Sequence, residues 1–309
     1  MGKGSVYDFA NLFIIIYISL LMLILFYMNK IKGLIKLLRF ELPFSAGVCV
    51  VMGEILALGE FASVFITISG FLSVFFISSS ILVLNDYFDV ETDRINSPGR
   101  PIPSNLVLPS EALLFSIMLF LTGLILSYFI GLIVLLISAA LAIIGFLYNR
   151  YFKKSGLPGN LMVSISVGMT FIYGGAAVGL PLNKIVVFFC LIAALIDLGE
   201  EIAADAMDVK GDLIINSNSL AIKYGKTIAV RISCSLFLVV ILLSFIPFLI
   251  NWFKFIYLIP IGIMDTSIAY SSLKLFNSKE EEGRKYIRVI YLGSTLGIIV
   301  FLIMRLVGL

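Results

Sequence analysis

The 309-residue sequence contains no histidine, only three cysteines, and few charged residues, which make up 13% of the chain. Without histidine, the commonest general base and transition-metal ligand is missing, so any chemistry must use carboxylates, amides, phenols, lysine or arginine. Cys49, Cys190 and Cys234 lie in apolar stretches without metal-ligand spacing, which indicates core residues rather than a disulfide or metal site. The scarcity of charge also excludes a sizeable soluble domain.

Hydrophobic residues make up 61% of the chain and the mean hydropathy is +1.11, values typical of an integral membrane protein. A helical crossing needs roughly 20 apolar residues, and the alternating strands of a membrane barrel are absent. The apolar run from Leu113 to Tyr148 is too long for one crossing, so we expect a tight turn between Ser127 and Gly131. Ten crossings are predicted, at about 9–28, 40–58, 62–85, 110–128, 131–149, 160–180, 185–204, 227–249, 252–274 and 287–307.

The basic residues indicate how the chain is oriented in the membrane. If the predicted spans alternate, all but four of the 22 Lys and Arg residues fall on one side, the exceptions being Lys3, Lys184, Lys254 and Arg305. Basic loops stay in the cytoplasm, so we expect a multi-pass cell-membrane protein whose N-terminus lies outside. The first span lacks a basic leading region and a small-residue cleavage site, which indicates a retained helix rather than a signal peptide. The net charge of +3 reflects topology and gives no indication of nucleic-acid binding.

Acidic residues gather at the cytoplasmic ends of two predicted spans. The first cluster comprises Asn85, Asp86, Asp89 and Asp93, and the second comprises Asp205, Asp208 and Asp212. Unpaired carboxylates at a membrane are costly and usually mark function. If each helix continues through its cluster, the acids share one helix face: Asn85, Asp89, Asp93 and Asn96 in the first, and Asp197, Glu201, Asp205, Asp208 and Asp212 in the second. Stacked like charges require a cation, and oxygen ligands favour Mg²⁺ or a similar hard ion.

Basic residues accompany both clusters on the same predicted side of the membrane. Arg94 and Arg100 lie in a proline-stiffened segment that ends at Ser104, and Lys153 lies in the segment from Tyr148 to Asn160. Carboxylates that hold Mg²⁺, with lysine and arginine nearby, are suited to binding a diphosphate. The positive-inside rule would also place cations there, so each of these residues could have no role beyond setting the orientation of the chain in the membrane.

These motifs resemble the UbiA superfamily of intramembrane prenyltransferases. The family's first motif, NDxxDxxxD, corresponds to Asn85, Asp86, Asp89 and Asp93, and its extension continues to Ser104. The second motif corresponds to Asp208 and Asp212, with Asp205 preceding them, and the segment from Tyr148 to Asn160 is similar to a loop of the family. Within the family, the extended first motif is most similar to digeranylgeranylglyceryl phosphate synthases and chlorophyll synthases. Relatives often carry cations where this chain has Glu200 and Ala204.

The resemblance implies an all-α bundle of nine transmembrane helices over residues 30–309, with residues 1–29 as an extra N-terminal transmembrane helix. It implies Mg²⁺-dependent transfer of a geranylgeranyl-type group from its diphosphate to the hydroxyl of a glycerol phosphate lipid, as in archaeal ether lipid synthesis. The implied catalytic residues are Asn85, Asp89, Asp208 and Asp212, and the metal ligands are these four together with Asp86, Asp93 and Asp205. The implied diphosphate-binding residues are Lys153, Arg100, Arg94, Tyr148 and Lys210, with Asn160, Arg39 and Asp265 as further candidates.

Two alternatives remain open at the level of sequence. The acceptor could instead be an aromatic ring, as in quinone or chlorophyll-type pathways. An ion-coupled transporter is the alternative from another class, because Asp265 lies in the middle of a predicted span and intramembrane acids often relay ions. Asp265 could also bond a neighbouring helix or line the cavity.

Overall fold

The computed structural model of the chain describes residues 28–214 and 216–309, and within these ranges every regular element is helical. Nine of the described helices are long: α1 (Glu41–Leu58), α2 (Val64–Phe88), α4 (Pro109–Ile130), α5 (Leu132–Leu147), α6 (Leu157–Ala177), α7 (Lys184–Met207), α10 (Lys226–Ser244), α12 (Leu258–Leu275) and α13 (Glu280–Leu306). Four are short: α3 (Val90–Asn96), α8 (Val209–Ile214), α9 (Leu220–Tyr224) and α11 (Ile246–Leu249), and residues 28–37 are helical as well. A π-helical turn, Tyr148–Phe152, extends α5, and a 3₁₀ turn, Phe255–Tyr257, precedes α12.

The predicted all-α, multi-pass architecture is confirmed. Eight of the long helices, some with their short extensions, are apolar enough to cross a membrane, and the ninth, α7, has the required length but carries four acids, Asp197, Glu200, Glu201 and Asp205. The division of the long apolar run is also confirmed, because α4 ends at Ile130 and α5 begins at Leu132. Of the predicted first span, 9–28, residues 9–27 lie outside the described part of the chain.

Polar side chains mark where several of these helices begin. Ser63 accepts a hydrogen bond from the Ile66 amide at the start of α2, and Asn183 accepts one from the Ile185 amide at the start of α7. A side-chain oxygen at this position satisfies one of the backbone amides that a helix leaves unpaired in its first turn. Short polar breaks therefore separate apolar stretches that would otherwise continue as helix.

The long helices form a closed ring in which each one packs against the next in the chain and α13 packs against α1. α1 also packs along α6, and there the two backbones approach closely. A methyl group added at Gly174 would lie 2.1 Å from the Val50 carbonyl oxygen, and one added at Gly53 would lie 2.4 Å from the Phe171 carbonyl oxygen. Only glycine permits this approach, which brings the backbones of α1 and α6 into close contact.

A fully buried polar network lies between four of these helices. The Tyr173 hydroxyl donates to Ser73 at 2.9 Å and lies 3.1 Å from the Ser127 hydroxyl, which in turn lies 2.6 Å from Ser138. Because no water is available inside a bilayer, polar groups there must bond one another. The network therefore ties α2, α4, α5 and α6 into one arrangement.

Candidate active site

The first acidic cluster spans a break between two helices. α2 ends at Phe88, Asp89 has φ −89° and ψ 2°, and α3 begins at Val90. The expectation of one uninterrupted helix through the cluster is therefore wrong. The break is slight, because the Asp89 amide still donates to the Asn85 carbonyl and the Asp93 amide to the Asp89 carbonyl, at 3.0 and 2.8 Å.

One part of this cluster is paired with arginine. Asp86 is buried and accepts hydrogen bonds from Arg39 and, at 3.3 Å, from Arg100. Arg100 also donates to the buried Asp93 at 2.6 Å. The two carboxylates and two guanidiniums form a balanced group.

The other part of the cluster faces the end of α5. The Lys153 ammonium donates to Asp89, and the Asn85 side-chain amide donates to Asn149 at 2.8 Å. When the Asn85 amide is turned so that its oxygen faces Lys153, that oxygen lies 2.9 Å from the ammonium. Asn149 in turn donates to the Ile81 carbonyl on α2 at 3.1 Å. Lys153 thus bonds the Asp89 carboxylate directly, and Asn149 holds the neighbouring Asn85 in place.

The second acidic cluster also spans a helix break. α7 ends at Met207, Asp208 has φ −111° and ψ 15°, and α8 begins at Val209, so the expected continuous acidic stripe is wrong beyond Asp205. Asp205 accepts a hydrogen bond from Asn160 at 2.9 Å, and Asp208 accepts one from Arg284. Burial raises the pKa of the Asp212 carboxyl, and a hydrogen bond from Ser219 opposes that shift.

The segment from Tyr148 to Asn160 contacts both clusters. Lys153 bonds Asp89 of the first cluster and interacts electrostatically with Glu201 on α7. The Tyr148 hydroxyl lies within electrostatic range of Asp89, Glu201 and Asp205, and Asn160 completes the link through its bond to Asp205. The two clusters, more than a hundred residues apart in the chain, therefore lie on either side of one segment.

A tight turn holds this segment against the chain that follows the second cluster. Gly156 has φ +73°, a left-handed conformation that glycine adopts readily, and a methyl group there would lie 2.2 Å from the Asn218 carbonyl oxygen. The Asn218 amide donates to the Lys154 carbonyl at 2.9 Å. These contacts fix the position of Lys153 relative to both clusters.

Three candidate residues occupy different surroundings. Arg94 pairs with Glu91 at 2.8 Å, and both side chains are exposed, which leaves Arg94 apart from the two clusters. Lys210 is exposed on α8 between Asp208 and Asp212. Asp265 accepts a hydrogen bond from Ser244 on α10 at 2.8 Å. The interpretation of Asp265 as a contact to a neighbouring helix is confirmed, and the transporter alternative loses its main support.

The sequence alone missed two residues of this region. Asn149 was not expected beside Asn85, although it directly precedes Arg150 in a segment that had been singled out. Arg284 was counted only as a basic loop residue, yet it bonds Asp208 across 76 positions of sequence. No local pattern indicates the Arg284 contact, because it depends on how α13 packs against α7.

The donor atoms of the site suit a hard divalent ion. In the second cluster, one carboxylate oxygen of Asp212 is buried and has no hydrogen-bond partner within the described part of the chain. Such oxygens are costly unless a cation or donor satisfies them. In the ranges that the structure describes, no three acidic or cysteine side chains come close enough to enclose a metal ion. Mg²⁺ commonly binds one or two carboxylates together with substrate phosphates, so the residues fit that mode of binding.

The comparisons with known proteins agree with this geometry. The model of the UbiA prenyltransferase family matches residues 46–295. A digeranylgeranylglyceryl phosphate synthase from Methanococcus vannielii is 34% identical over 275 residues, which cover 88% of this chain and 98% of the relative.

Solved structures show the same fold. A structure concerned with digeranylgeranylglyceryl phosphate synthase in membranes is 31% identical and has a TM-score of 0.67, covering 87% of this chain and 99% of the other. A UbiA homolog from Archaeoglobus fulgidus bound to GPP and Mg²⁺ has a TM-score of 0.64 at 17% identity, again over 87% of this chain and 99% of the other.

Proposed function

The chain belongs to the UbiA prenyltransferase family, and from this premise we propose that it transfers a geranylgeranyl group from its diphosphate to the hydroxyl of geranylgeranylglyceryl phosphate. The product would be a glycerol phosphate lipid with two ether-linked chains, as in archaeal lipid synthesis. Relatives that carry the name digeranylgeranylglyceryl phosphate synthase support this acceptor, at 34% and 31% identity over most of both chains.

The observation that carries the proposal is the position of Lys153. Its ammonium bonds Asp89 and interacts electrostatically with Glu201, one turn before Asp205, so one cation lies between the first cluster and the helix that leads to the second. A diphosphate needs both kinds of partner, because metal-bound carboxylates bind its oxygens through the ion while lysine and arginine bond them directly. The arrangement therefore supports diphosphate binding between the clusters.

Mg²⁺ is the cofactor in this proposal, and the four residues that would hold it are Asn85, Asp89, Asp208 and Asp212. Asp205 is a further candidate, whereas Asp86 and Asp93 bond Arg39 and Arg100 and would orient those guanidiniums. When bound, the ion would neutralise the diphosphate and stabilise it as a leaving group. The GPP and Mg²⁺ bound to the Archaeoglobus fulgidus homolog support this choice of ion.

Side chains of the protein would bind the diphosphate and would keep water away from the reacting carbon. Lys153 and Arg100 would donate to the diphosphate oxygens as the allylic carbon–oxygen bond breaks. The acceptor oxygen then forms the ether bond to that carbon, and the hydroxyl proton passes to the departing diphosphate. The apolar interior of the helical ring would keep water away from the developing carbocation and leave the acceptor as the available nucleophile.

We also propose that both acidic clusters face the cytoplasm. The distribution of lysine and arginine supports this orientation, with 18 of the 22 basic residues on the side of the clusters when the predicted spans alternate. The N-terminus, one predicted crossing before the first basic loop, would then lie outside. Labelling of single cysteines introduced at Lys154 and Leu182 with a membrane-impermeant reagent tests this orientation, since only the Leu182 position should react in intact cells.

The proposed reaction is tested by incubating the purified protein and Mg²⁺ with geranylgeranyl diphosphate and one acceptor at a time. We expect transfer to geranylgeranylglyceryl phosphate and none to an aromatic acceptor of the quinone or chlorophyll type. Omission of Mg²⁺ should abolish transfer. Transfer to the aromatic ring alone would refute the proposed acceptor.

A further inference from the structure

Two arginines near the start of α13 connect the acidic clusters a second time. Arg284 donates to Asp208 of the second cluster, and Arg288, one turn later, donates to Glu41 at the start of α1. Glu41 follows two residues after Arg39, which bonds Asp86 of the first cluster. The two guanidiniums of α13 therefore lie between parts of the chain that carry both halves of the site.

The packing of α13 sets the position of these arginines. A methyl group at Gly283 would lie 2.2 Å from the Met207 sulfur, so the first turn of α13 is pressed against the end of α7. Further along, Tyr291 donates to Glu41 at 2.7 Å and Thr295 donates to Ser45 at 2.9 Å, which ties α13 to α1. Arg284 and Arg288 thus project from a helix that is held on both sides.

The arginines of α13 differ from the other site cations in exposure. Arg39, Arg100 and Lys153 are 29–34% exposed, and the acids that they bond are 5–18% exposed. Arg284 and Arg288 are 59% and 57% exposed, and each of their acid partners is 47% exposed. Exposed ion pairs contribute little to stability, so these two guanidiniums can exchange their partners at small cost.

We propose that Arg284 and Arg288 form a subsite for the phosphate of the lipid acceptor, beside the site of the donor diphosphate. This rests on the proposed function, in which the acceptor is itself a phosphomonoester. Guanidinium groups bind phosphate oxygens in pairs, and side chains one turn apart on a helix are separated by about 6 Å along its axis, close enough to flank one phosphate. The subsite selects lipids that carry a phosphate over neutral acceptors.

Steady-state kinetics with the full-length enzyme test the subsite. In Arg284→Gln and in Arg288→Gln, the KM for geranylgeranylglyceryl phosphate should rise about 10- to 100-fold, which is the range expected for one lost charged hydrogen bond. The KM for geranylgeranyl diphosphate should stay within about twofold in Arg288→Gln, whose partner Glu41 is not a proposed metal ligand, and Arg284→Lys should recover part of the loss of acceptor binding. Arg231→Gln, which removes an exposed arginine from α10, is the matched control and should leave both constants unchanged.

An acceptor without its phosphate separates recognition from a structural effect. With geranylgeranylglycerol as acceptor, wild type and Arg288→Gln should react at the same low rate, because the group that the arginine recognises is missing. An equal loss with this lipid would overturn the proposal, as would a rise in donor KM that matches the rise in acceptor KM.

A binding measurement without donor tests the subsite independently of the proposed reaction. Binding of geranylgeranylglyceryl phosphate to the protein in lipid nanodiscs, measured without donor, should weaken about 10- to 100-fold in both glutamine variants. If wild type binds this lipid through the arginines but transfers only to an aromatic ring, the proposed function fails and the subsite stands. If both variants bind it as wild type does, the subsite is refuted.

Discussion

Replacement of Lys153 by glutamine should remove a positive charge that interacts with acids in both halves of the active site. The Lys153 side chain is 29% exposed, bonds Asp89, lies 2.9 Å from the Asn85 amide in one amide orientation, and interacts with Glu201. A hydrogen bond to a charged group is worth about 1.5–3 kcal/mol, which corresponds to a fall of about 10- to 150-fold in kcat/KM for the prenyl diphosphate.

The Mg²⁺ requirement provides a second readout for the same variant. Without Lys153, Asp89 loses a competing cation, so the concentration of Mg²⁺ that gives half-maximal activity should stay the same or fall. A variant that merely disturbed the metal ligands would need more Mg²⁺. Activity should therefore be titrated with Mg²⁺ at saturating donor for wild type and for Lys153→Gln.

The neighbouring lysine serves as the control. Lys154 is exposed, and its contact to Asn218 is made by its backbone carbonyl, which a change of side chain leaves in place. Lys154→Gln should keep activity within about threefold of wild type, as expected for an exposed charge. If both variants lose activity equally, the placement of Lys153 between the clusters does not explain its role, and the reasoning is refuted.

Three further predictions follow from the contacts described. Asp89→Ala should lower Mg²⁺-dependent turnover by roughly 100-fold or more, since the loss of even an indirect metal contact costs about 10- to 100-fold; turnover within tenfold of wild type would contradict a metal role. Tyr173→Phe should destabilise the protein by about 1 kcal/mol through lost hydrogen bonds to Ser73, measured as thermal unfolding in detergent, with kcat unchanged. Gly156→Ala should lower both stability and activity, because φ +73° costs about 1 kcal/mol for alanine and the methyl group would meet Asn218; normal unfolding and kinetics would show that the turn adapts.

Much of the fold was predictable from the sequence because membrane insertion depends on local composition. A helix must bond its own backbone in the bilayer and therefore needs an apolar stretch of fixed length, which can be recognised without knowledge of its neighbours. The long run from Leu113 to Tyr148 shows this, since its length alone required the turn that the structure has at Gly131. The acidic clusters were equally visible, because carboxylates are rare in such a chain.

The geometry of the clusters was not predictable in the same way. The expected single faces assumed regular helices, whereas the backbone breaks at Asp89 and at Asp208. Buried charges need partners, and packing decides which partner is available. Asp93 and Asp86 consequently share Arg100, whereas Asp89 bonds Lys153.

The sequence by itself determined that the protein is a helical membrane protein, and its motifs pointed to a metal-dependent prenyltransferase, since hydropathy and motif spacing are properties of neighbouring residues. Only the tertiary structure decided which cation serves which acid. Lys153 lies 64 positions from Asp89, and Arg284 lies 76 positions from Asp208. Such pairs form only after the helices have closed into a ring, because ion pairing depends on distance in space rather than on separation along the chain.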